Sequence, residues 1–260
     1  MTAKYVTHYL ENRESATMKS LIVLIMAFVT IIYISKVQGE MTEQTKQFEQ
    51  QRRQMVSAQI AEPVDGRPPV KDARVLDAMR AVPRHRFVDR QSVELAYIDR
   101  PLPIGHDQTI SQPYIVAYMT ELLETGPDQV VLEIGTGSGY QAAVLAELVA
   151  RVYTIEIVAP LAEEAAQILD ELHYDNVSVR AGDGYLGWPE VAPFDRIIVT
   201  AAPDHVPQPL IDQLKPGGRM VLPVGPVWST QSLMLLTRDL DGHVEKKSVM
   251  AVGFVPLTRE

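Results

Sequence analysis

The sequence predicts a doubly wound, mostly parallel α/β sheet that ends in a C-terminal antiparallel hairpin. An apolar run at 130–134 breaks into alternating glycines at Gly135, Gly137 and Gly139. From there toward the C-terminus, short apolar runs alternate with helical patterns, which is the order of a parallel sheet with crossover helices. Asp241-Gly242 then separates two strand-like runs, as in a tight hairpin turn.

The glycine loop predicts a ligand site. Residues 130–134 form the continuous apolar run of a strand covered on both faces, and 141–150 reads as the helix that follows. Glycines between them let backbone approach a ligand, while the helix presents free N–H groups. The next predicted strand, 151–157, carries Glu156 at its end, where a carboxylate can accept hydrogen bonds from ribose hydroxyls. We therefore expect a nucleoside ligand.

The glycine spacing separates two kinds of nucleoside ligand. Dinucleotide-binding folds use G-x-G-x-x-G, whereas the third glycine here comes one residue early and gives G-x-G-x-G. A dinucleotide oxidoreductase is therefore the second hypothesis, behind a different nucleoside cofactor.

The remaining elements follow from the same periodicities. Residues 100–113 are expected to be irregular because prolines and a glycine interrupt them, and Ser111 is placed to cap the helix that follows. Helices are predicted at 40–61 (amphipathic and exposed), 72–79, 112–124, 160–173 and 207–214, and strands at 177–180, 194–200, 220–224, 232–237 and 244–255.

Composition narrows the class of protein. At 260 residues and 46% hydrophobic, the chain is long enough for one large domain. A net charge of −9 argues against a general nucleic-acid binder, so no nucleic-acid partner is predicted. The absence of cysteine excludes disulfides and thiolate metal sites, and the histidines lack metal-ligand spacing, so no metal is predicted.

The N-terminus differs from the rest of the chain. Residues 20–35 are uncharged and strongly apolar, slightly short for a spanning helix and slightly long for a signal-peptide core. We therefore divide the chain into a 1–39 extension with a signal or anchor segment and a 40–260 catalytic domain. Counted from Met18, Lys19 is outnumbered by the basic residues after the segment, which favours a cytoplasm-facing, membrane-tethered domain over export to the periplasm.

Several motifs together resemble the protein-L-isoaspartate O-methyltransferase family. The resemblance covers the chain from about Gln51 onward, and Gln-Thr-Ile-Ser-Gln-Pro at 108–113 narrows it to this family within the methyltransferase superfamily. Two features differ from the family pattern. Asp107 stands where family members commonly have Gly or another small residue, and the hydrophobic N-terminal extension is not usual in the family. The other matching blocks are RVLDAMRAVPRHRFV (74–88), PLPIG (101–105), the glycine loop, GDG (182–184), FDRIIVTAA (194–202) and FVPL (254–257).

The resemblance implies a Rossmann-like fold that binds S-adenosyl-L-methionine over the glycine loop, with ribose at Glu156 and adenine near Asp183. The candidate cofactor-binding residues are Glu133, Gly135, Thr136, Gly137, Gly139, Glu156, Asp183 and Gly184. Ser111 and Thr109 are the candidate catalytic residues: the Ser111 hydroxyl is expected to orient the acceptor carboxylate, with Thr109 assisting. An acceptor carboxylate is already ionised at pH 7, so no general base is needed.

The implied reaction is methyl esterification of L-isoaspartyl residues in damaged proteins by a monomeric repair enzyme. Three alternatives stay open at this point: a methyltransferase for another carboxylate acceptor, the dinucleotide oxidoreductase, and a non-catalytic, membrane-tethered binding module.

Overall fold

A computed structural model describes residues 42–227 and 229–259. From Glu49 onward the chain forms one compact unit. The hydrophobic segment 20–35 and the predicted domain boundary at 39/40 lie outside the described residues. Within the described ranges, no helix combines the length and the apolar character needed to cross a membrane.

A seven-stranded sheet forms the centre of the unit. In chain order the strands are β1 Leu102–Gly105, β2 Gln108–Ile110, β3 Val130–Ile134, β4 Arg151–Glu156, β5 Val177–Ala181, β6 Phe194–Val199, β7 Leu214–Val224, β8 Gln231–Arg238 and β9 Val244–Val252. The order in the large sheet is β5-β4-β3-β6-β7-β8-β9; β3 to β7 run parallel, whereas β7-β8 and β8-β9 pair antiparallel. The first two strands form a separate two-stranded hairpin.

Helices cover the sheet and connect its parallel strands. Residues 42–55 are helical (α1) and continue as a π-helix over Val56–Ala61. The other α-helices are α2 Ala73–Ala81, α3 Pro113–Leu123, α4 Tyr140–Ala146, α5 Ala159–Glu171 and α6 Gln208–Asp212. Short 3-10 turns lie at Arg84–Arg86, Arg90–Leu95 and Gly184–Leu186.

The predicted fold class is confirmed, with three corrections. Residues 100–113 are not irregular throughout, since β1 and β2 pair there across a turn in which His106 and Asp107 both have positive φ. The helix predicted at 141–150 ends at Ala146. The N–H groups of Ala150 and Arg151 donate to the Gln129 carbonyl instead of to the helix, and β4 begins at Arg151.

The third correction concerns β7. We predicted a helix at 207–214 and a strand that begins at 220, but Leu214 already pairs with Phe194. The register then resumes at Arg196 opposite Arg219, so residues 215–218 form an irregularity inside one long strand. Because β7 also pairs with β8, the C-terminal antiparallel part contains three strands rather than a hairpin alone.

The strand order places the ligand site. From β3 the chain adds β4 and β5 on one side, then returns to add β6 on the other side of β3. In open α/β sheets the crevice at the carboxyl ends of strands flanking such a reversal is where ligands bind. Here it lies between the glycine loop after β3 and Thr200 after β6.

Candidate active site

The glycine loop has the backbone conformation that its sequence predicts. Gly135 and Gly137 have φ of +93° and +52°, a region that side chains with a Cβ rarely adopt. A Cβ on Gly135 would also lie 2.5 Å from Thr200 Oγ1. Near Gly137 the nearest atom to an added Cβ is Ile104 Cδ1 at 3.4 Å, so this glycine faces comparatively open space. The loop thus lines a cleft of about 750 Å³ with bare backbone.

Glu156 holds the loop in place from the end of β4. Its carboxylate is nearly buried, with Oε2 accepting from the Gly137 N–H at 2.8 Å and Oε1 from the Val158 N–H at 3.0 Å. Each oxygen retains a lone pair for a second donor. The side chain lines the cleft beside Gly137, as the predicted ribose-binding position requires.

Glu133 and Thr136 lie at the start of the loop. Glu133 is fully buried, does not line the cleft, and its carboxylate oxygens have no hydrogen-bond partner among the described residues. Burial, opposed by the Thr154 hydroxyl and aided by the nearby Glu156 charge, raises the pKa of Glu133 to about 8. Thr136 does line the cleft, and its hydroxyl lies 2.6 Å from that of Thr154.

Asp183 and Gly184 follow β5 on the far side of the cleft. Gly184 lines the cleft, whereas Asp183 does not. The Asp183 Oδ1 accepts from the Tyr185 N–H at 2.9 Å and thereby caps the 3-10 turn, and its Oδ2 lies 3.6 Å from Arg259 Nε. The structure therefore gives Asp183 a turn-capping contact, and the predicted contact with adenine stays a prediction.

The predicted catalytic residues lie where two clefts meet. A second cleft, with about 1570 Å³ of open space, is bordered by Arg67, by the segment from Met250 to Phe254 and by Ser229 and Thr230. Four residues line both clefts: Thr109, Ser111, Thr200 and Val255. The two clefts therefore adjoin at these four residues.

The prediction that Ser111 caps α3 is wrong. Gln112 is the N-cap, without a side-chain capping bond, and Pro113 occupies the first turn. The cap is supplied from outside the segment, because Asp99 Oδ1 accepts from the Tyr114 N–H at 2.8 Å. Asp99 Oδ2 in turn accepts from Gln112 Nε2 and Arg67 Nη2, both at 2.8 Å.

Sequence reasoning missed three contributors to the border. Thr200 donates its hydroxyl toward the carbonyls of Ile134 and Gly135, and its position directly after β6 was the available signal. Val255 belongs to a motif that we matched but gave no role. Arg84, which donates to the Ser111 carbonyl at 2.8 Å, had no local signal because the two residues are 27 positions apart.

The parallel sheet, the G-x-G-x-G loop and the acid at the end of β4 together define a Rossmann-like methyltransferase that uses S-adenosylmethionine. Residues 32–260 match the family model described as protein-L-isoaspartate(D-aspartate) O-methyltransferase. The chain belongs to this family. The family acts on proteins that contain isoaspartyl residues, and membership sets aside the dinucleotide oxidoreductase and the non-catalytic binding module.

Individual relatives agree with the family match. The chain is 61% identical over 191 residues to a protein-L-isoaspartate O-methyltransferase of Gloeobacter violaceus, covering 74% of this chain and 93% of that protein. A Shewanella sediminis protein-L-isoaspartate O-methyltransferase 2 is 50% identical over 237 residues, covering 90% of this chain and 95% of the other. A solved protein-L-isoaspartate O-methyltransferase superposes with a TM-score of 0.67 at 30% identity, covering 72% of this chain and 61% of that one.

Proposed function

We propose that this protein transfers a methyl group from S-adenosyl-L-methionine to the free carboxylate of L-isoaspartyl residues in damaged proteins and peptides. One observation carries the proposal: a nucleoside-type cleft and a wider second cleft share Thr109, Ser111, Thr200 and Val255 as a common border. Methyl transfer requires donor and acceptor to meet in line at short range, so a shared border is the arrangement this reaction needs.

The first cleft fits the cofactor. Gly137 leaves its wall open where a side chain would project, and Glu156 presents a carboxylate at the position suited to a ribose. Gly135 and Gly137 would hold the methionine portion against backbone, and Thr136 and Gly184 belong to the same lining. Gly139, which was predicted with them, does not line the cleft; a Cβ there would lie 3.3 Å from the side chains of Ala165 and Leu169. When bound, the sulfonium supplies an electrophilic methyl group.

The second cleft suits a peptide acceptor. Its open space, counted with the solvent at its mouth, is about twice that of the first cleft, which leaves room for a stretch of polypeptide as well as for a small carboxylic acid. The alternative acceptor is such a small acid.

The acceptor needs orientation, and it does not need a base. A backbone-linked carboxyl of pKa roughly 3.5 is ionised at neutral pH. Ser111 borders both clefts with a hydroxyl that does not cap α3. We assign that hydroxyl to donate a hydrogen bond to the acceptor carboxylate, and Thr109, on the same border, assists.

A matched-peptide assay tests the substrate. The full chain is incubated with methyl-labelled S-adenosylmethionine and two peptides that differ only in an isoaspartyl or an aspartyl linkage. Labelling confined to the isoaspartyl peptide is expected. Equal labelling of both peptides would reject the repair function, and labelling of a small dicarboxylic acid alone would favour the alternative acceptor.

We also propose a monomer whose catalytic unit faces the cytoplasm and is tethered through residues 20–35. Both clefts are built from one chain, so the chemistry needs no second copy, and the methyl donor is a cytoplasmic metabolite. Light scattering measures the mass. Protease added to intact spheroplasts tests the orientation, because digestion of the catalytic unit without lysis would show export.

A further inference from the structure

Arg84 is a charged residue that lies entirely inside the unit. Its side chain is fully buried in the 3-10 turn Arg84–Arg86. The guanidinium donates from Nε to the Ala96 carbonyl at 2.9 Å and from Nη2 to the Ser111 carbonyl at 2.8 Å, while Nη1 has no hydrogen-bond partner among the described residues. The guanidinium carbon also lies 4.8 Å from the centre of the Tyr140 ring.

These contacts connect the glycine loop of the first cleft with Ser111 at the border of the two clefts. Tyr140 is the first residue of α4 and directly follows Gly139, so its ring is fixed to the glycine loop. Ser111 lies at the border of the two clefts. One planar guanidinium thus touches the helix that follows the cofactor loop and the segment that carries the acceptor-orienting hydroxyl.

The Ser111 carbonyl accepts from Arg84 because the first turn of α3 provides no N–H group for it. The first helical hydrogen bond of α3 goes to the Gln112 carbonyl from Val116, one residue too late for Ser111. Pro113 has no N–H to offer. In the described part of the chain, the Ser111 carbonyl accepts its hydrogen bond from Arg84.

A packing role alone does not explain a cation at this position. Burying a guanidinium without a directly bonded carboxylate is unfavourable, and an apolar side chain of similar volume would usually pack at least as well. Burial lowers the pKa of the Arg84 guanidinium to about 10, although the nearby side chains of Tyr140, Asp99 and Tyr97 each favour its charged form. The side chain is therefore still a cation at neutral pH.

We propose that Arg84 is a positioning residue: it fixes the Ser111 peptide, and through it the Ser111 hydroxyl, relative to the glycine loop. The inference rests on the proposed function for its kinetic consequence. It assigns Arg84 no contact with substrate or cofactor.

A double-mutant cycle in the full chain tests the kinetic part. Arg84→Met keeps the length of the side chain but removes its charge and donors. We expect turnover of the isoaspartyl peptide to fall about tenfold or more, as for loss of a charge-assisted hydrogen bond, with the affinity for S-adenosylhomocysteine changed by less than about threefold. If Arg84 acts through Ser111, adding Arg84→Met to Ser111→Ala costs less than about threefold further.

Arg196 provides the matched control. Arg196 is half-buried, and like Arg84 it donates to backbone carbonyls beside α3, here those of Leu123 and Glu124 at the end of the helix far from Ser111. Arg196→Met is expected to lower turnover by the same factor with and without Ser111→Ala. Arg84→Lys, which keeps the charge but cannot span both carbonyls, replaces Arg84→Met if the latter does not fold.

Amide hydrogen exchange tests the structural part without any activity. The Ser111 carbonyl and the Gln112 N–H belong to one peptide plane, so exchange over 108–116 should accelerate in Arg84→Met and not in Arg196→Met. Unchanged exchange there, or equal kinetic factors for Arg84→Met in both backgrounds, would overturn the proposal. Wild-type protein that labels both peptides equally would reject the repair function instead, and the exchange result would still decide on Arg84.

Discussion

Glu133 gives the protein a specific pH dependence of stability. Its folded-state pKa of about 8 lies above the reference value of 4.5, so between these values the folded protein retains a proton that the unfolded chain has lost. The contribution of the Glu133 proton to the free energy of unfolding is therefore fully present below about pH 4.5. It falls as the pH rises from 4.5 to 8 and levels off above about pH 8.

The size of the effect follows from the two pKa values. One pKa unit is worth about 1.4 kcal/mol, so the difference between the two pKa values corresponds to about 5 kcal/mol, most of which falls between pH 5 and pH 8. Glu133→Gln keeps the shape of the protonated acid but cannot ionise. We expect the variant to lose this part of the pH dependence, whatever constant offset the amide introduces.

Urea unfolding at pH 5, 6.5 and 8 measures the effect on protein free of ligand. The free energy of unfolding of the wild type, relative to Glu133→Gln, should fall by roughly 3 to 4 kcal/mol from pH 5 to pH 8. Glu163→Gln, which alters an exposed glutamate on α5, is the control and should track the wild type. If the wild type and Glu133→Gln fall in parallel, the buried carboxyl does not hold its proton and our account of it is wrong.

Three further predictions concern the two clefts. Gly137→Val should abolish measurable S-adenosylhomocysteine binding in a folded protein, because a β-branched residue is strained at φ +52° and fills the cleft; calorimetry showing normal affinity would contradict it. Ser111→Ala should lower kcat about 10- to 100-fold with little change in cofactor affinity, and unchanged kinetics would remove its hydroxyl from the reaction. Glu156→Gln should weaken cofactor binding about tenfold or more, since its amide turns a donor toward the Gly137 or the Val158 N–H; calorimetry at wild-type affinity would count against this role.

The parallel sheet, the glycine loop and the acid at the end of β4 could all be predicted from the amino-acid sequence. These features are local. A short apolar run is enough to predict a buried strand. The glycines that follow it predict the loop conformation, because few other residue types adopt positive φ. Glu156 could be placed because the strand after α4 pairs next to β3, as parallel neighbours joined by one helix usually do.

The groups that form hydrogen bonds with the backbone around Ser111 could be identified only from the folded structure. The cap of α3 comes from Asp99 and the hydrogen bond to the Ser111 carbonyl from Arg84, neither of which is near in sequence. The same holds for the border of the clefts, where residues 109–111 meet Thr200 and Val255. Periodicity shows which side chains are buried, but the partner of a particular carbonyl or N–H depends on how separate elements pack, and that information is spread over the whole chain.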